Sequence, residues 1–183
     1  MRDDGERRTE PLSPAGTAIA AWGIVGVLAI LAQACVRLAP LAIEPILDGA
    51  FAWWHWLLWV AWVGQMIYSE GYRGFHRAFS PRVVARALHL GRHPHPVRVL
   101  LAPLFCMGFF HATRKRMIVA WVMIAAIAVL IILVRMLDQP WRGLVDAGVV
   151  VGLAVGGASI VYHAVRGFAG HPMPVPPDVP EID

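Results

Sequence analysis

Charge is what this chain has least of. Asp, Glu, Lys and Arg make up 15% of its 183 residues, against roughly 25% in an average soluble domain. A water-soluble chain covers its surface with polar groups, and this one does not carry enough of them. Hydrophobic residues reach 58% and the mean hydropathy is +0.60. Cysteine is scarce as well: Cys35 and Cys106 alone exclude a disulfide scaffold. Lysine is nearly absent, Lys115 standing alone among arginines. The net charge of +4 and pI of 9.7 do not mark a nucleic-acid binder, because the basic residues cluster beside apolar runs. Also missing are a Ser/His/Asp grouping, a phosphate-cradling glycine loop and paired carboxylates within an apolar run. The expectation is a non-enzymatic chain with no catalytic residue, cofactor or metal.

What is present is apolar length. A bilayer core of ~30 Å needs about 20 apolar residues of helix. Four segments qualify: 18–36, 50–68, 117–134 and 144–165. Backbone groups in lipid must be satisfied within their own segment, which favours helices. The strict alternation of a membrane barrel is absent. The predicted fold is therefore all-α, an integral membrane four-helix bundle. It has an N-terminal tail at 1–17, a membrane domain at 18–165 and a proline-rich, disordered tail at 166–183. Residues 69–116 carry nine basic groups and a single acid, Glu70. The positive-inside rule puts this segment, and with it both termini, in the cytoplasm of a bacterium with the chain in its inner membrane. Ala32-Gln33-Ala34 fits a signal-peptidase site, but four acids crowd the preceding tail, which favours a retained span. Cleavage would leave three spans in the same orientation.

The segment between spans two and three is amphipathic. Ser80-Pro81 reads as a helix start. Arg82, Arg86 and His89 then share one face, and Val83, Val84, Ala87 and Leu88 the other. Two placements fit: at the bilayer surface with guanidiniums among anionic headgroups, or packed on the bundle. Arg92-His93-Pro94-His95-Pro96 breaks the helix. The apolar run 99–110 is too short to span, so it reads as interfacial or re-entrant, kinked at Pro103. Arg73, Arg77, Arg82, Arg86, Arg114, Lys115 and Arg116 are the candidate lipid-surface contacts.

Three stretches carry a resemblance: FHRAFSPRVVARA at 75–87, LAPLFCMGFFHATRKRM at 101–117 and QPWRGLVDAGVVVGL at 139–153. Together they resemble an uncharacterised family of small multi-pass proteobacterial inner-membrane proteins. The resemblance implies no activity and carries over no functional residue.

Within the spans, Gly148, Gly152 and Gly156 form a small-residue face suited to close helix packing, inside the bundle or between copies. Asp146 is the lone carboxylate inside a span, with Arg142 one turn away. Gln33, Arg37, His55 and Arg135 fall near the same outer ends and are expected to join them in one polar cluster, a structural clamp. His55 and His163 lie at opposite ends of the membrane and cannot share a haem, whereas His163 with His76 or His111 can be brought together. His89, His93 and His95 are a poor histidine box, broken by prolines. Trp53, Trp54 and Trp56 suit an aromatic belt, and Trp59 and Trp62 suit packing or an aromatic groove. The function expected is that of an accessory or scaffold subunit contacting anionic lipid or a membrane partner, as a homo-oligomer or within a larger complex. The alternatives are a small transporter or channel component, and a haem-binding or lipid-modifying enzyme.

Overall fold

A computed structural model describes residues 11–180, all-helical with no strand among them. Readings that rest on residues 1–10 and 181–183, the four acids of the N-terminal tail among them, lie outside the described residues. Helix α1 spans Pro14–Leu47. Ser13 caps it, accepting from the Gly16 N–H at 3.1 Å, and Pro14 takes the first position, where no donor is needed. Its 34 residues extend ~51 Å, well past the 18–36 expected. Pro45 inside it leaves the Leu41 carbonyl without its helical donor. The Gln139 side-chain amide meets that carbonyl at 3.4 Å and also donates to Glu44 Oε2 at 2.8 Å.

Helix α2 spans Trp53–Met66 and passes into a π-helical stretch, Ile67–Phe79, then into α3, Ser80–Arg92. Backbone angles at both junctions are right-handed helical, so 53–92 is one unbroken rod. The second expected span, 50–68, thus has only 14 α-helical residues of its own. Three helices are long and apolar enough to cross a membrane: α1, α6 (Arg114–Arg135) and α7 (Trp141–Phe168). Between α3 and α6 lie two short helices, α4 (Pro96–Leu100) and α5 (Ala102–Met107), with Gly108 at φ +86° turning the chain back. Pro103 sits in the first turn of α5, where a proline costs no hydrogen bond, and the run is broken just before it, at Leu101 between α4 and α5.

The rod and α7 run parallel, and both run against α1. Gly143 of α7 lies on Pro45 and Gly157 by Leu28. Along the rod, Trp62 meets Gly148, Glu70 meets Gly152, Phe75 meets Gly156, and Val84 with Leu88 meets Gly167. At the far end Gly91 touches Gly16 of α1. The buried core gathers at that end, from Ala20, Ile24 and Val27 of α1, Val83–Leu90 of α3, Phe105 and Cys106 of α5, and Ile160 and Ala164 of α7. The other half is open: α2 buries only His55, and α6 only Ala120 and Val134.

Residues 169–180, part of the tail for which disorder is expected, make specific contacts. Met173 and Val179 pack against the core, and the Thr113 N–H donates to the Asp178 carbonyl at 3.0 Å. Prolines lower the entropy the segment loses on docking, and the core end supplies donors and apolar surface to receive it.

Candidate functional site

The end where α1 turns to α2 and α6 to α7 holds part of the expected polar cluster. Arg142 Nε stands 3.8 Å from Asp146 Oδ2, and both atoms are buried without a hydrogen bond. His55 is buried, but among aromatics: its ring lies 3.5 Å from that of Trp54 and 5.7 Å from that of Trp141. Its Nδ1 accepts from the Ala52 N–H at 2.9 Å, capping α2. Gln33, Arg37 and Arg135 are exposed, and among the described residues no hydrogen bond or ion pair joins them to Asp146. The cluster of six is thus a pair, Arg142–Asp146. Equal depth along a helix does not put side chains on the same face, which is why Gln33, Arg37 and Arg135 stand apart. The polar knot that does form there, Gln139 with Glu44, Leu41 and Gly143, escaped the sequence reading; Pro45 and its stranded carbonyl were the available signal.

Gly148, Gly152 and Gly156 face the rod. A Cβ on Gly148 would meet Trp62, on Gly152 Glu70, and on Gly156 the Phe75 ring. An open groove of about 350 Å³ runs between α2 and α7, lined by Leu58, Ala61, Trp62, Gln65, Trp141 and Leu144. Further along, the rod and α7 are cross-linked by polar groups. His76 Nδ1 lies 2.9 Å from Ser159 Oγ, and His163 Nε2 lies 3.1 Å from the His76 carbonyl. The two imidazoles are tilted with centroids 5.0 Å apart, each with one nitrogen engaged. Ser159 lies inside α7, where backbone N–H groups are spent on the helix and offer no oxyanion donors, and among the described residues no carboxylate orients His76. The arrangement ties two helices together. Among the described residues no three His, Cys, Asp or Glu side chains converge on a metal position.

The densest polar constellation surrounds Arg86. Of the two placements open to its helix, at the bilayer surface or packed on the bundle, its 1% exposure fits the packed one and removes Arg86 from the lipid-surface contacts. Its polar face is covered by 102–111 and by the C-terminal tail. Nε donates to the Phe105 carbonyl at 2.6 Å. Nη1 donates to Pro177 and Asp178 carbonyls at 2.8 and 3.3 Å, and Nη2 to those of Phe110 and His111 at 3.2 and 3.0 Å. The guanidinium carbon lies 4.1 Å from the centroid of the Phe105 ring. Every acceptor is a neutral carbonyl. Such an environment satisfies the donors and leaves the charge unbalanced, so burial brings the Arg86 pKa down to about 10. Burial also lifts the Cys106 thiol to about 12, partly opposed by Arg86.

Two further arginines stand beside it. Arg82 Nε pairs with Asp178 Oδ2 at 3.3 Å, and Arg116 Nε is buried without a partner. Of the seven candidate lipid contacts, Arg73, Arg77, Arg114 and Lys115 are exposed, Arg82 and Arg116 half-buried, and Arg86 buried. Comparison of the chain with protein-family models, curated proteins and solved structures finds no match.

Proposed function

We propose that this chain is a non-enzymatic accessory or scaffold subunit of a bacterial inner membrane. It crosses four times with both termini cytoplasmic and offers the basic segment 69–116 to anionic lipid or a membrane partner. The observation that carries the reading is the position of the exposed cations. Arg73, Arg77, Arg114 and Lys115 collect toward the end where the packed core lies, away from the outer-end tryptophans.

Helix lengths support the depth. From Trp141 to Tyr162, both exposed aromatics of α7, is ~31 Å at helical rise, and from Arg114 to Arg135 of α6 the same. From Trp53 to Tyr72 the rod advances ~28 Å at the α-helical rise. Each matches a hydrocarbon core of ~30 Å bounded by aromatic or basic side chains. Continuity of the rod lets α2 and the first turns of the π-helical stretch serve as the fourth crossing. The glycine face of α7 is taken up by the rod, which leaves α6 as the apolar surface for lipid or a partner helix.

The test is gentle extraction with identification of co-purifying lipid and protein from the parent and from a chain with Arg73, Arg77, Arg114 and Lys115 changed to Gln. Anionic phospholipid or a defined partner on the parent, lost from the variant, is expected. Equal recovery from both sinks the reading.

A further inference from the structure

Arg82 and Arg86 both reach Asp178, and Arg116 at the start of α6 lies against Gly108, two and three residues before the Phe110 and His111 carbonyls that Arg86 holds. The carboxylate among them is Asp178, delivered by the C-terminal tail. Among the described residues, three guanidiniums stand against one carboxylate, a surplus of two positive charges. Arg116 Nε has no acceptor at all, and Arg86 has only neutral ones. A guanidinium cluster of this kind has the donor geometry of a phosphate site.

The tail reaches the cluster in a constrained form. Asp178 sits at φ +50°, in the left-handed region that costs a residue with a side chain. Its backbone oxygen takes bonds from Arg86 and the Thr113 N–H while its carboxylate takes Arg82. Lifting 177–178 away would free both Arg86 Nη1 contacts and the Arg82 contact together.

We propose that Arg82, Arg86 and Arg116 form a binding site for a phosphate-bearing anion, and that Asp178 is a tethered stand-in that the phosphate displaces. The site rests on the reading of 69–116 as an anion-contacting segment, and adds to it the residues and the gate. At the inner end of the bundle the phosphate belongs to a lipid headgroup or to a free anion, which the probes below separate.

The full chain in a neutral detergent is titrated with short-chain phosphatidate, short-chain phosphatidylcholine and inorganic phosphate. Binding is read by native mass spectrometry and by the shift in melting temperature. Asp178→Asn, which keeps the backbone bonds, is expected to tighten phosphatidate about tenfold by removing the competing charge. Arg82→Gln and Arg116→Gln in that background are each expected to lose the gain. Circular dichroism confirms that the variants fold, and Arg86 is left intact because its removal unpairs the Pro177, Phe110 and His111 carbonyls. Phosphatidate bound far more tightly than inorganic phosphate assigns the site to lipid, and comparable affinities assign it to a free anion. Equal affinity of parent and Asp178→Asn overturns the proposal. So does binding that ignores Arg82→Gln and Arg116→Gln but falls when Arg73, Arg77, Arg114 and Lys115 are neutralised, while the broader lipid-contact reading stands. No preference of any variant for phosphatidate over phosphatidylcholine, and no phosphate binding, sinks both.

Discussion

Arg86 ties three segments that are far apart in the chain: α3, the 105–111 turn and the tail. Arg86→Ala would leave the Pro177, Phe110 and His111 carbonyls without a donor, while those of Phe105 and Asp178 keep the Gly108 and Thr113 N–H groups, at a cost of about 3 kcal/mol. A large drop in melting temperature in detergent, with release of the tail to proteolysis, is the expected result. Arg86→Lys keeps the charge but has three donors and no planar fork, so it should recover only part of the loss. His89 gives a pH prediction. Burial first, then His93, Arg86, Arg98 and Arg92, hold its pKa below the ordinary 6.5. The unfolded chain therefore binds more protons just below that value, and stability falls as pH drops through it. His111, lowered by burial and then by Arg98, Arg86 and His95, adds in the same direction. Melting temperatures between pH 8 and pH 5 should decline, and His89→Gln should flatten the decline.

Among the elements, α7 is the one on which close approach depends. Gly156→Leu would drive a side chain into the Phe75 ring, and Gly148→Leu into Trp62. Overpacking of this kind costs typically about 1–3 kcal/mol, read as a lowered melting temperature. Gly157 has only Leu28 at 3.9 Å, so Gly157→Ala is the control that should leave stability unchanged. Helix α6 behaves oppositely. Its outward side chains, Ile124 and Leu130 among them, touch little else in the fold. Alanine there should change stability by no more than about 0.5 kcal/mol, and a larger loss would mean that a partner helix covers it. The three long apolar helices were legible because span length and hydropathy are local properties. The rod was not: Tyr72, Arg73, Arg77 and Arg82 read as a surface helix, and nothing local says that the chain continues helically from Trp53 to Arg92.

At the scale of the whole molecule, the packed core sits at one end and the lipid-compatible helices at the other. The four crossings proposed above would place the turns at 48–52 and 136–140 on one face, and 93–95 with the tail at 169–180 on the opposite face. Cysteine labelling from outside intact spheroplasts should therefore reach Asp138→Cys and not His95→Cys. The reverse pattern, or labelling of both, would overturn the topology.

The amino-acid sequence by itself determined that the chain is helical and built for a membrane, and where its apolar helices and basic segment lie. Those properties are set by composition and run length, which neighbours in space do not alter. Tertiary structure alone decided which of the polar residues meet. Arg86 is buried because carbonyls from residues 105, 110, 111, 177 and 178 arrive together. Gln33, Arg37 and Arg135 stay apart from Asp146 because matching depth is no guarantee of a matching face. Side-chain pairing depends on helix rotation and on docking between distant segments, and neither leaves a periodic mark in the sequence.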